Sequence, residues 1–198
     1  MKPKSLVVLE AFDQRQRQQT NAFVDLLLNK AIPNGFIAAG DKNALLERHV
    51  LDSLRAVCCL GSGDREIVDI GSGAGLPGIP VAIALPASSV YLVEPQRRRV
   101  AFLELAVERL GLGNAKVIAS RADSVALRVD ACLARAVGPA DKAWREGRRL
   151  LSPRGRLIYF AGRTWKGLEA QAASGASWEV CLPADFPWQG PLVMMRPS

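Results

Sequence analysis

The feature that most constrains this chain is the run Val68-Asp69-Ile70-Gly71-Ser72-Gly73-Ala74-Gly75-Leu76-Pro77-Gly78, with Glu94 closing the next apolar stretch. It reads as a strand, a glycine turn and a helix start. Glycines at such a turn let the backbone pass close to a bound nucleoside, and an acid about 20 residues further on can accept from ribose hydroxyls. Around this unit the pattern alternates. Strands are expected at 66–70, 90–94, 116–119, 130–134 and 156–160, and helices near 79–85, 97–110 and 140–151. That alternation specifies a parallel sheet with helices on its faces. A short helix near 165–173 and two closing runs, 178–182 and 192–195, complete the chain, the last two spaced for an antiparallel hairpin. The expected fold class is α/β: a Rossmann-like, mostly parallel seven-stranded sheet with a C-terminal antiparallel hairpin.

Upstream of the sheet, Leu6, Leu9, Phe12, Phe23, Leu26 and Leu27 recur at helical spacing from residue 5 to about 30. Ile32-Pro33-Asn34-Gly35 breaks that pattern, and a second helix is expected from about 43 to 59, ended by Gly61-Ser62-Gly63. Residues 1–60 therefore read as a helical extension packed on a domain spanning 61–198. The apolar run from Leu6 to Leu9 is too short for a signal peptide, and no uninterrupted apolar stretch approaches membrane-spanning length. A cytoplasmic location with no membrane partner is expected.

The first turn also decides between cofactors. Gly73-x-Gly75-x-x-Gly78 satisfies the dinucleotide fingerprint, but a pyrophosphate needs free N–H groups at the helix start, and Pro77 and Pro80 each remove one. S-adenosylmethionine carries no phosphate and loses nothing there. In the frame Asp69-x-Gly71-x-Gly73-x-Gly75 the acid at the strand end would repel a pyrophosphate, yet it can orient the cationic methionine half of a sulfonium donor. The methyl donor is the favoured ligand.

In such a sheet ligands bind beyond the C-terminal ends of the strands. The candidates there are Asp69 to Gly75, Glu94, Ser120 to Asp123, Arg135 and Ala161 to Arg163. Asp123 can accept from an adenine amino group while the Ala122 N–H meets a ring nitrogen, or it can be an ordinary helix cap. Lys plus Arg number 26 against 19 acids, a net charge of +7 that favours a polyanionic partner. Arg97-Arg98-Arg99 and the group Arg145, Arg148, Arg149, Arg154 and Arg156 are the phosphate-neutralising candidates, or solvated helix faces. Cys58, Cys59, Cys132 and Cys181 form no C-x-x-C pair and only one histidine is present, so reduced, packed thiols and no metal are expected. Cys132 lies in an apolar strand, where burial blunts a thiol nucleophile.

Glu47-Arg48-His49-Val50-Leu51-Asp52-Ser53-Leu54, the run Asp69 to Pro80, Ser120-Arg121-Ala122-Asp123 and Ala134-Arg135-Ala136 together resemble one family. It is the 16S ribosomal RNA (guanine-N7)-methyltransferase family, RsmG or GidB, and the similarity covers about residues 43–163. The resemblance implies a class I S-adenosylmethionine-dependent methyltransferase fold and a guanosine substrate in the 530 loop of 16S ribosomal RNA, met as free RNA or in a small-subunit assembly. A monomer is expected.

By the resemblance Gly71, Leu76, Ala122, Asp123 and Arg135 bind the donor and Glu94 meets its ribose, with Asp69, Gly73 and Gly75 completing the turn. Arg135 and His49 are the catalytic candidates, as positioning groups and not as acid or base, and Arg121 and Arg163 the RNA contacts. The family's N-L-T segment is here Gly35-Phe36-Ile37, and the lysine of its fifth-strand A-L-K-G is Ala161. Guanine N7 carries an in-plane lone pair, so attack on a sulfonium methyl needs no base, and positioning supplies the catalysis. No Asn/Asp-Pro-Pro-Tyr/Phe run for gripping an exocyclic amine is present. A methyltransferase acting on another RNA or a small molecule, or a catalytically silent RNA-binding relative, are the alternatives.

Overall fold

The computed structural model describes residues 2–167 and 173–198, so the helix expected near 165–173 lies largely outside the described residues. Among the described residues, β1 (Glu66–Ile70), β2 (Ser89–Val93), β3 (Ala115–Ile118), β4 (Val129–Arg135), β5 (Leu151–Phe160), β6 (Ala176–Leu182) and β7 (Leu192–Pro197) form one sheet in the order β3-β2-β1-β4-β5-β7-β6. β1 to β5 run parallel, and β7 lies antiparallel between β5 and β6. The expected hairpin is present, inserted so that its second strand joins the sheet.

A parallel sheet is covered on both faces, which is why its strands are apolar throughout. Side chains alternate between the two covers. Ile67, Leu92, Leu133 and Ile158 share one core with α4 (Gly78–Ala84) and α5 (Arg97–Leu110), through Ile79, Phe102 and Leu103. Val68, Ile70, Cys132 and Leu157 face the other core, closed by α6 (Ala140–Gly147) through Ala143 and the fully buried Trp144. Burying each such large side chain contributes roughly 1.5–3 kcal/mol. Asp69, in register with Leu92 and Leu133, falls on the same side as Ile67, beneath the start of α4.

The N-terminal helices belong to the first core, where Phe12, Phe23 and Leu27 pack with sheet residues. The expected single helix is two: α1 (Lys4–Glu10) and α2 (Gln14–Leu26). Asp13 divides them because it caps α2 in a reciprocal box, accepting from the Gln16 N–H at 2.8 Å while Gln16 Oε1 accepts from the Asp13 N–H at 3.0 Å. The helix expected at 43–59 is a helical path of changing pitch. A 3₁₀ segment (Ala39–Ala44) leads into a π-helical segment (Leu45–Leu51), the short α3 (Asp52–Leu54) and a 3₁₀ turn (Arg55–Cys59).

Two further expectations are corrected. Cys59 and Cys181 are joined in a disulfide, because the 3₁₀ turn lies against β6 with their Cα atoms 6.2 Å apart; Cys58 and Cys132 remain free thiols. Arg156 is turned inward, donating to the Cys59 carbonyl at 3.2 Å and paired with Asp64, so it does not belong to the exposed arginine group. Burial pushes the Cys132 thiol far up, which removes it as a nucleophile. No helix among the described residues is long and apolar enough to cross a membrane.

Candidate active site

The chain builds outward from β1 through β2 to β3, then returns to lay β4 beside β1. That reversal opens a crevice between the ends of β1 and β4, where α/β sheets bind ligands. Two adjoining lobes of about 320 and 310 Å³ occupy it, sharing Gly71, Arg99 and Ala136 as walls.

The first lobe is a nucleoside-sized space bounded by Glu94, Gln96, Ala122, Asp123 and Val137. Glu94 is 2 % exposed and fully pre-positioned: one carboxylate oxygen accepts from the Gly73 N–H at 3.0 Å, the other from the Gln96 N–H at 2.8 Å. Each oxygen keeps a second lone pair, the chemistry a vicinal diol requires. Arg99 stands 3.9 Å from the carboxylate. Asp123 is exposed in a 3₁₀ turn (Ala122–Ser124), its carboxylate accepting from Ser124 Oγ at 3.0 Å.

Gly71 forms the floor of both lobes with φ +67°, and a Cβ there would come within 2.8 Å of Val137. Only glycine meets both demands at no cost. The expected role of Asp69 is modified by its position: it does not line either lobe but lies 1 % exposed beneath the turn, accepting from the Gly78 N–H at 3.0 Å. Burial raises its pKa to about 7 against the lowering effect of that hydrogen bond. Gly75 likewise lies under the turn, packed on Ile79. The N–H that would open α4 to an anion is thus already engaged.

The second lobe runs from Gly71, Gly73 and Leu76 to His49, Arg135 and the segment Phe36 to Ala38. Arg135 ends β4 and reaches into the helical signature segment. It donates to the carbonyls of Arg48 and His49 at 3.1 and 3.3 Å, to Ser53 Oγ at 3.1 Å and to His49 Nδ1 at 3.2 Å, with Asp52 at 3.5 Å. Since His49 Nδ1 accepts there, its proton sits on Nε2 and is donated to Asp41 at 3.1 Å. Burial first, then Arg135, hold the His49 pKa below its ordinary value, so the ring is neutral at physiological pH. The pair is a clamp that fixes the helical segment against the sheet, and the geometry gives it no acid–base task.

Three wall residues were not assigned to the crevice by the sequence, which offered Arg99 only as a phosphate-neutralising candidate. Arg99 and Phe36 face each other, the guanidinium 5.9 Å from the ring. Ala136 takes φ +57°, unusual for a residue with a side chain, where the chain leaves β4 between the lobes. No periodicity announces such a position. Of the RNA candidates, Arg121 is exposed at the rim of the first lobe, while Arg163 is exposed in a separate cavity beyond β5 that also contains Ala161.

Comparison with known proteins places this geometry. The family model "rRNA small subunit methyltransferase G" (GidB) matches residues 16–179. "Ribosomal RNA small subunit methyltransferase G" of Mycobacterium leprae is 42% identical over 145 residues, 71% of this chain and 58% of that protein. The protein of the same name from Salinispora arenicola is 39% identical over 162 residues, 77% of this chain and 66% of that one. The chain therefore spans about 58–66% of the length of these relatives. Among solved structures, a SAM dependent methyltransferase from Aquifex aeolicus superposes with a TM-score of 0.62 at 19% identity, covering 78% of this chain and 94% of that one. The ribosomal protein L11 methylase of Lactobacillus delbrueckii subsp. bulgaricus gives 0.62 at 14% identity, covering 76% and 79%. These likenesses establish the class I methyltransferase fold.

Proposed function

Because the chain belongs to the rRNA small subunit methyltransferase G (GidB) family, we propose that it transfers a methyl group from S-adenosylmethionine to N7 of a guanosine in the 530 loop of 16S ribosomal RNA. The observation that carries the donor assignment is the pairing of a glycine-floored crevice with a carboxylate, Glu94, held by two backbone N–H groups. A diol fits that carboxylate, and the spent Gly78 N–H beside two prolines disfavours a pyrophosphate.

Bound there, the donor supplies an electrophilic methyl carbon on a sulfonium sulfur. Glu94 would hold the ribose, Ala122 and Asp123 the adenine edge, and Gly71, Gly73 and Leu76 the backbone cradle of the methionine half. Arg135 and His49 keep the signature segment in place as the opposite wall, which excludes water from one side and fixes the approach of the acceptor. Guanine N7 needs no deprotonation, so the transfer asks for no general base. Holding two reactants in line accounts for about 7–11 kcal/mol of barrier in favourable cases. Arg121 and Arg163 would meet RNA phosphates at the rim. In this reading the helices of residues 1–60 pack on the catalytic domain, and the chain works as a cytoplasmic monomer.

The test is transfer of isotopically labelled methyl from S-adenosylmethionine to naked 16S ribosomal RNA or to small subunits lacking the modification. Label recovered as N7-methylguanosine from the 530 loop supports the proposal. Label in another nucleotide, or RNA binding with no donor binding, contradicts it.

A further inference from the structure

Arg145, Arg148 and Arg149 take no part in the donor crevice, and they surround a hollow of their own. With Asp141, Ala173 and Ser174 they line a groove of about 560 Å³ where the end of α6 meets the segment leading into β6. Asp141 is the one acid among the described lining residues, against three cations.

The two walls of the groove are tied together. The buried Trp144 donates from its indole to the Ser174 carbonyl at 3.1 Å, and Arg148 donates to the same carbonyl at 3.4 Å. Arg145 is steadied by Asp141 at 2.7 Å. The backbone carbonyl of Arg149 accepts from Arg128, while its own guanidinium is exposed and has no hydrogen bond or ion pair among the described residues. A single arginine on a convex helix face is merely solvated. Three lining one concavity, two of them held in place, present planar forks of N–H donors that match phosphate oxygens.

The groove and the crevice flank the same helix. Lys142 and Glu146 of α6 line the first lobe of the crevice, while Asp141 and Arg145 line the groove. The 8 residues of α6 span about 12 Å, so a polymer engaged at one space reaches the other. Exposed Arg121, at the rim of that lobe, extends the line of cations on the far side. α6 packs in the second core, on the face of the sheet that the N-terminal helices leave uncovered. Building on the reading that the substrate is ribosomal RNA, we propose that this groove is a second RNA contact, gripping backbone phosphates of the strand that flanks the target nucleotide. The RNA then passes along the α6 side of the sheet and not over the N-terminal helices. Contacts of this kind set register and affinity and read no base, so the groove contributes to holding the substrate and nothing to choosing guanine.

The test is binding of the full-length chain to 16S ribosomal RNA transcribed in vitro, and to small subunits, over a series of salt concentrations without donor. Arg145→Gln, Arg148→Gln and Arg149→Gln together should flatten the log–log salt slope for naked RNA by about two or more and weaken binding about tenfold or more, with S-adenosylmethionine affinity unchanged in calorimetry. Arg145→Lys, Arg148→Lys and Arg149→Lys together should restore the slope, which a purely structural role for the guanidiniums would not allow. Arg149→Glu alone, at an exposed side chain, should also weaken RNA binding and keeps the test open if the triple variant does not fold. A triple glutamine variant with an unchanged slope overturns the proposal. So does a loss confined to small subunits with naked RNA binding intact, which would assign the groove to a ribosomal protein. Methyl transfer is measured separately with labelled donor. A chain that binds RNA through these arginines yet methylates none supports the groove and counts against the methyl-transfer reading alone.

Discussion

Glu94 and Asp69 stand at the ends of the neighbouring strands β2 and β1, in different surroundings. Glu94 receives two backbone N–H groups, which hold its carboxylate in place. Replacing it by alanine should weaken S-adenosylmethionine binding tenfold or more in calorimetry, since about 1.4 kcal/mol of charge-assisted hydrogen bonding is lost. Asp69 is buried, with a pKa raised from 3.8 to about 7. The folded chain thus holds a proton there that the unfolded chain releases, and this group's contribution to stability is present below pH 3.8 and is lost as pH rises through about 7. Asp69→Asn should remove that decline, worth about 4 kcal/mol at most, in denaturant titrations on either side of the window. Gly71, Glu94, Ala122 and Asp123 were legible in the sequence because turn chemistry and strand-end position name them. The separation of Asp69 from the crevice was not, since it depends on which sheet face the strand end presents and on how closely α4 approaches.

The strands and the helices α4 and α5 follow their sequence patterns because apolar run length and glycine punctuation specify them locally. The strand β5 begins at Leu151, where the helix expected over 140–151 was to end, and not at 156; Pro153 and Gly155 fall in the register shift opposite Val129 and Ala131. The signature segment departs most. Its π-helical pitch over Leu45–Leu51 rests on long-range partners, Arg135 above all, that no local pattern contains. At the N-terminus the break at Asp13 was in principle readable from the Asp-x-x-Gln box. Asp13→Ala should lower thermal stability by about 0.5–2 kcal/mol without altering donor affinity, as measured by melting and calorimetry together.

Over the whole molecule, a net charge of +7 lies on a fold whose crevice opens beside exposed Arg121 and whose separate cavity beyond β5 opens beside exposed Arg163. Composition gave the sign of the partner but not this placement. RNA affinity should fall linearly on a log–log plot against salt, and Arg121→Ala and Arg163→Ala should each flatten the slope by about one in filter binding. Unchanged slopes would place the RNA elsewhere. The methyl-transfer reading depends on the crevice between β1, β2 and β4 holding an adenosyl sulfonium. The most direct measurement is a crystal structure of the chain soaked with S-adenosylmethionine. Density over Gly71 with the sugar diol on Glu94 and the adenine beside Asp123 is the predicted result; density at another place, or a saturated soak with none, would contradict it.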